Sequence, residues 1–144
     1  MTELLLIIRL AGQRVAIAAE DVESVVEVEG LTPIPRAAHH VAGLAALRSR
    51  VLTAIDCLAS LELGSSAVSG PRDAIVVEMD GYPYALLVDS VEDVLEYGGD
   101  VRPVRTALDP GWRRVAKGVV DVEGDLLLLV DTGALLGGPT AVAA

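Results

Sequence analysis

The chain repeats itself, and that repeat restricts its fold more than any single motif does. Gly12 and Gly81, Ala16 and Ala85, and Val22 and Val91 each stand 69 positions apart, whereas Gly43 and Gly118, Asp56 and Asp131, and Leu61 and Leu136 each stand 75 apart. A constant offset interrupted by one step of six (75 minus 69) indicates a duplicated unit with a single insertion. Apolar matches alone would be weak support in a chain that is 52% hydrophobic, so the paired glycines and aspartates carry the claim. The expected organisation is one domain over 1–144, with repeat units of roughly 3–63 and 73–137. The small and turn-forming residues of 64–72 would connect them.

Each unit runs through the same events. Leu4 to Leu10 and Val15 to Ala19 flank a turn at Gly12-Gln13, and Ala74 to Met79 and Tyr84 to Val88 flank Asp80-Gly81, a strong hairpin signal. Asp21 is placed to cap a helical turn with Val22, Val25 and Val26 on one face, and Asp89 stands likewise before Val91, Val94 and Leu95. The β-branched valines keep any such helix short, and Val25 to Glu29 also alternates as a strand would. Pro33, Pro35 and Pro103 force extended backbone, Ala37 to Val41 fits one helical turn, and Asp109-Pro110-Gly111 turns the chain.

A second hairpin closes each unit. Gly43 to Asp56 carries two apolar arms around Arg48-Ser49-Arg50, and Gly118 to Asp131 carries two around Glu123-Gly124-Asp125. Short apolar pieces, Ala59 to Leu63 and Ala134 to Leu136, follow. About five short valine-rich strands per unit suit small barrels closed to hide their edges. The expectation is an all-β fold of two related barrels packed together, with short helical turns.

Charge narrows the function. A formal net charge of −10 opposes nucleic acid, whose binding needs a basic face, and opposes docking on an anionic membrane. The run Leu4 to Ile8 is too short to span a bilayer and lacks the basic start of a signal peptide. Cys57, the single cysteine, cannot form an intrachain disulfide and sits in an apolar, strand-like context, which fits a buried, inert thiol in a reducing compartment. A cytoplasmic protein is expected.

Catalytic patterns are sparse. Asp131-Thr132-Gly133-Ala134 resembles the signature of aspartic proteases, in which two aspartates share a proton, and Asp56 is its repeat counterpart. Yet the first copy continues Cys57-Leu58, and only eleven residues follow Gly133 (144 minus 133). The simpler reading is that each aspartate ends a strand and caps the next turn. His39-His40 are adjacent, cannot converge from one regular element, and have no third ligand nearby. No glycine-rich phosphate loop or serine elbow is present. No cofactor, no metal and no enzymatic activity are expected, with an acid hydrolase using Asp131 as the alternative.

The order of motifs resembles CheW, the coupling proteins of bacterial chemotaxis. The residues that carry this are Gly12, Val22-Glu23-Ser24-Val25, Leu31-Thr32-Pro33-Ile34-Pro35, Gly43-Leu44-Ala45-Ala46-Leu47-Arg48-Ser49 and Ile55-Asp56. In the second half they are Val88-Asp89-Ser90-Val91, Arg102-Pro103, Gly118 and Leu129-Val130-Asp131. The resemblance covers nearly the whole chain. It implies two interlocked five-stranded SH3-like barrels and a non-catalytic adaptor. The implied partners are the regulatory domain of a CheA-type histidine kinase and the cytoplasmic tip of a chemoreceptor, received in a groove between the barrels. By position it places Val22, Ser24, Gly43, Leu44 and Arg48 at the partner-binding surface. The family arginine matched by Arg48 is usually paired with a glutamate, and here that position is Ser24. Glu23 or Glu27 is the candidate replacement, the alternative being an Arg48 turned to solvent. Ala46, Ser49 and Thr53 also depart from the family's asparagine, glycine and proline, which marks a divergent member. An SH3-like module for some other partner keeps the fold and drops the chemotaxis role.

Overall fold

The structure, a computed structural model, describes residues 2–47, 49–64 and 70–138. Ten strands alternate with short helices. The first half holds β1 (Glu3–Leu10), β2 (Gln13–Ala18), a 3₁₀ turn (Ala19–Asp21), β3 (Ser24–Val28), β4 (Val41–Leu47), β5 (Arg50–Asp56) and α1 (Cys57–Ser60). The second holds β6 (Arg72–Met79), β7 (Tyr82–Val88), β8 (Ser90–Tyr97), α2 (Pro110–Val115), β9 (Ala116–Val122), β10 (Asp125–Val130) and α3 (Thr132–Gly137).

The strands form two five-stranded curled sheets, β3-β6-β7-β5-β4 (barrel I) and β8-β1-β2-β10-β9 (barrel II). Strands related by the sequence offsets occupy the same place in each. Both barrels are assembled across the two halves: barrel I takes β6 and β7 from the second half, and barrel II takes β1 and β2 from the first. This exchange interlocks them. Even the parallel pairs match, since β5 runs parallel to β7 in register Thr53↔Tyr84 and β10 runs parallel to β2 in register Leu128↔Val15.

Three hairpin turns use a non-glycine residue and then a glycine, both at positive φ: Ala11 (52°) and Gly12 (78°), Asp80 (54°) and Gly81 (84°), Glu123 (51°) and Gly124 (91°). That is the type I′ geometry whose twist matches the flanking strands. Each barrel is then closed by one isolated bridge, Thr32↔Leu44 in barrel I and Arg102↔Val119 in barrel II. The bridges explain the repeated glycines. A Cβ on Gly43 would lie 2.6 Å from Thr32 O, and one on Gly118 would lie 2.7 Å from Arg102 O. Only glycine lets the two backbones meet.

Three aliphatic clusters fill the interior. The central one lies between the barrels and draws on both, with Ile8, Ile55, Ile75, Leu86, Trp112 and Leu135 among its members. The others occupy the barrels themselves. The short helices lock the centre. Arg114 on α2 donates to Ala134 O on α3 and to Ser60 O (2.6 Å) and Ser60 Oγ (3.0 Å) on α1. Ser60 Oγ in turn donates to Leu135 O at 2.7 Å.

Four local expectations are revised. The segments after Asp21 and Asp89 are strands, not helical turns. Only Ala19–Asp21 makes a 3₁₀ turn, and β3 and β8 pair along β6 and β1. Valine's restricted χ1 favours the pleated sheet once a partner strand is present. Skipping Glu92 in the β8–β1 register shifts the alternation, so that β8 mimics a helical spacing in sequence. The segment expected to be a helical turn, Ala37 to Val41, instead turns at His39-His40 and enters β4 at Val41. Pro110 starts α2 at the position a helix tolerates best, with Asp109 before it, instead of turning the chain. Cys57 begins α1 rather than lying in a strand.

Candidate functional site

Two openings receive two of the residues singled out in the sequence, Val22 and Ser24. The first is a groove of about 570 Å³ between the barrels. One wall comes from the start of β3 and the end of β6, with Val22, Glu23, Val77 and Met79. The other comes from β9 and α3, with Lys117, Asp131 and Leu136. The groove is largely polar, with an acidic rim of Glu20, Asp21, Glu23, Glu78 and Asp131 against one cation, Lys117, and its accessible apolar surface comes mainly from Val22 and Met79. Such a surface suits an amphipathic helix with apolar anchors and basic flanks.

The second opening, about 510 Å³, is the mouth of barrel I between β3 and the β4–β5 hairpin. Ser24, Val26, Glu27, Leu47, Ser49 and Arg50 line it, with the core residues Leu52 and Val76 at its base. Val22 therefore lines one opening and Ser24 the other. Gly43 is buried and Leu44 half-buried, and both serve the closing bridge: Leu44 N donates to Thr32 O at 2.8 Å and Leu44 O accepts from Thr32 N at 2.9 Å. Arg48 lies outside the described residues.

The ion pair at this site is formed by neighbours of the positions picked out in the sequence. Arg50 Nη1 donates to Glu23 Oε2 at 2.9 Å, on the ridge between the two openings. Glu23 is thus engaged by Arg50. The available signal was the second arginine of the Arg48-Ser49-Arg50 tip. Barrel II shows the corresponding arrangement with the charge changed. There the counterpart of Arg50 is Asp125 and that of Glu23 is Glu92, and Arg14 from β2 stands between them, at 3.3 Å from Asp125 and 2.7 Å from Glu92. Arg9 adds a second contact to Glu92 at 3.3 Å. The Arg14 hydrogen bond holds the Glu92 carboxyl below its ordinary range, with partial desolvation opposing it.

The residues that invited a chemical reading have structural tasks. Asp56 is buried at the end of β5 and its carboxylate accepts from Ala59 N at 3.2 Å, capping α1. Asp131 follows β10 and accepts from Gly133 N at 2.9 Å and Ala134 N at 3.4 Å, capping α3. The two aspartates end strands of different barrels, and each caps the helix that follows it. His40 is buried with Nε2 2.9 Å from Leu136 O, so that nitrogen carries the proton; His39 is exposed. No group of three or more His, Cys, Asp or Glu is placed to hold a metal among the described residues. Burial pushes the Cys57 thiol far up, with the nearby Asp56 charge adding to the effect. No helix among the described residues is long and apolar enough to cross a membrane.

Comparison with known proteins agrees with the fold. The model of the CheW-like domain family matches residues 4–140. The chemotaxis protein CheW of Rhizobium meliloti (strain 1021) is 32% identical over 101 residues, covering 69% of this chain. The match spans 65% of that relative's length, a little under two-thirds. The chemotaxis protein CheW of Thermotoga maritima is 26% identical over 119 residues, covering 83% of this chain and 78% of that one. Among solved structures, the scaffolding protein TtCheW from Thermoanaerobacter tengcongensis superposes with a TM-score of 0.76 at 22% identity, covering 91% of this chain and 90% of that one. That last likeness speaks for the fold.

Proposed function

The chain belongs to the CheW-like domain family, and on that premise we propose that it is a non-catalytic cytoplasmic coupling protein of a chemotaxis-type signalling system. It bridges the regulatory domain of a CheA-type histidine kinase and the cytoplasmic tip of a chemoreceptor. The observation that carries this reading is the family match over residues 4–140, on a fold whose two barrels leave a groove between them. A helical receptor tip would lay its apolar residues against Val22 and Met79 and set basic residues against the acidic rim. Ser24, Gly43 and Leu44 then belong to the neighbouring barrel face, where Gly43 and Leu44 act by holding the barrel closed, and Arg48 takes the partner-binding role that the family resemblance implies. Signals would pass as changes in packing at these faces, with no chemistry of the chain's own.

Pull-down of the folded chain against a cognate kinase regulatory domain and a receptor-tip helical hairpin tests this. Val22→Asp should abolish receptor capture and spare kinase capture, because it adds a charge to an already acidic groove. Arg48→Ala should weaken partner capture, and Ser24→Glu, which restores the family acid, should strengthen it. A folded chain that captures neither partner would instead be an SH3-like module serving another protein.

A further inference from the structure

The charges around the groove between the barrels are divided between its walls. Of the five carboxylates on the rim, two are engaged: Glu23 holds Arg50 at 2.9 Å, and Asp131 caps α3. The other three, Glu20, Asp21 and Glu78, make no ion pair or side-chain hydrogen bond among the described residues. All three belong to the wall built by the 3₁₀ turn, the entry of β3 and the end of β6. Lys117, on β9 in the facing wall, is exposed, is the only lysine of the chain, and forms no ion pair among the described residues either. The repeated framework does not require this division. Glu78 stands where Arg9 does and Asp21 where Ser90 does (69 apart), and Lys117 stands where Ala42 does (75 apart). Met79 is 39% exposed, whereas its counterpart Leu10 is 1% exposed, so the twin position is covered by the chain itself and this one is left open.

We propose that these charges set the direction in which a partner helix lies in the groove, with Lys117 as the residue that decides it. This rests on the helix-in-groove reading above and adds the partner's charge pattern. An apolar stripe lies against Val22 and Met79, Lys or Arg residues run along the flank facing Glu20, Asp21 and Glu78, and an acidic residue on the other flank faces Lys117. Seating a helix removes water from between the walls, so a rim charge left beside a like charge costs more than it does in the open groove. Turning the helix end for end, with its apolar stripe still inward, exchanges the two flanks. The basic flank would then face Lys117, and the acidic flank would face three carboxylates. A helix that is basic on both flanks suits one wall only. The occupant is therefore a helix of mixed flanks, held in one direction.

The test uses the full chain and two capped, stapled helical peptides of about fourteen residues, two heptads long. Both carry the same apolar stripe of leucine and alanine. One has Lys along one flank and Glu along the other, in equal number, and the second has Lys along both. Met79 is the only methionine after Met1, so its ε-methyl NMR signal reports occupancy of the groove. Lys117→Glu should weaken the mixed peptide at least about threefold and tighten the all-basic one at least about threefold, the scale of a rim charge pair. The mixed peptide carries no net charge, so its loss reads a contact at Lys117 and not the field of an acidic protein. Glu78→Lys, in the facing wall, should weaken both peptides and decides the matter if the Lys117 variant fails to fold. Unchanged affinity of the mixed peptide for the variants, binding that leaves the Met79 methyl unmoved, or no binding at millimolar peptide would each overturn the proposal. A chain that captures the receptor tip but binds the mixed peptide regardless of Lys117 loses the orientation alone. One whose peptide binding follows Lys117 but which captures no receptor tip loses the coupling role alone.

Discussion

Arg50 Nη1 lies 2.9 Å from Glu23 Oε2, joining the β4–β5 hairpin to the entry of β3. The side chains remain 47% and 39% exposed, so water and salt screen the pair. A double-mutant cycle with Arg50→Ala and Glu23→Ala should return a coupling of about 0.2–1 kcal/mol at low salt, fading toward zero near ~1 M NaCl. A salt-independent coupling of several kcal/mol would mean that the ridge between the openings is far drier than its exposure indicates.

The closing glycines are expected to be the least replaceable. At Gly43 a methyl would strike Thr32 O, and φ is 149°; at Gly118 it would strike Arg102 O and Val101 Cγ1. Gly43→Ala and Gly118→Ala should each destabilise by about 2–4 kcal/mol, combining overpacking with loss of the bridge. Gly30→Ala, whose methyl meets open space, should stay within about 1 kcal/mol of the parent. Urea unfolding midpoints at constant m separate the two classes.

Asp131 caps α3 through Gly133 N and Ala134 N. Asp131→Asn should therefore be nearly neutral and Asp131→Ala should cost about 1 kcal/mol, the pattern of a cap. In an acid hydrolase the asparagine variant would be inactive. The parent chain should cleave no peptide in mildly acidic buffer, and cleavage abolished by Asp131→Asn would overturn the capping role.

Cys57 is buried at the start of α1, and its thiol is raised far above the ordinary range chiefly by desolvation. A folded-state pKa above the unfolded one contributes stability that is complete below the unfolded thiol pKa of about 8.5 and is lost as pH rises beyond it. Alkylation at pH 8 should accordingly follow the unfolding rate and accelerate only with denaturant. Rapid labelling of the native chain would contradict the burial.

Arg114 ties α1, α2 and α3 together through donors aimed at Ser60 and Ala134. Burial lowers its pKa, so its partners must offset desolvation. Arg114→Ala should destabilise by about 2–4 kcal/mol, and Arg114→Lys should recover only part of that, because one ammonium cannot reproduce the planar fork. Ser60→Ala should be milder, removing the Oγ contacts while leaving Ser60 O in place.

What the sequence determined by itself was whatever depends on short range or on pattern. The turns at Asp80-Gly81 and Glu123-Gly124 and the caps at Asp56 and Asp131 follow from local backbone chemistry, while the first turn falls at Ala11-Gly12, one residue before the Gly12-Gln13 that the sequence suggests. The ordered motifs from Gly12 to Asp131 named the family. Partner choice over long distance was decided only by the tertiary structure. Valine spacing after Asp21 and Asp89 fitted a helix until β6 and β1 supplied edges to pair with, and a bulge at Glu92 hid the strand's alternation. Nothing in the repeat revealed that the halves exchange strands, because offsets record which residues correspond and not which strands meet. The same limit applied to Glu23. Glu23 and Arg50 lie 27 positions apart, and only the closure of barrel I sets their charges side by side.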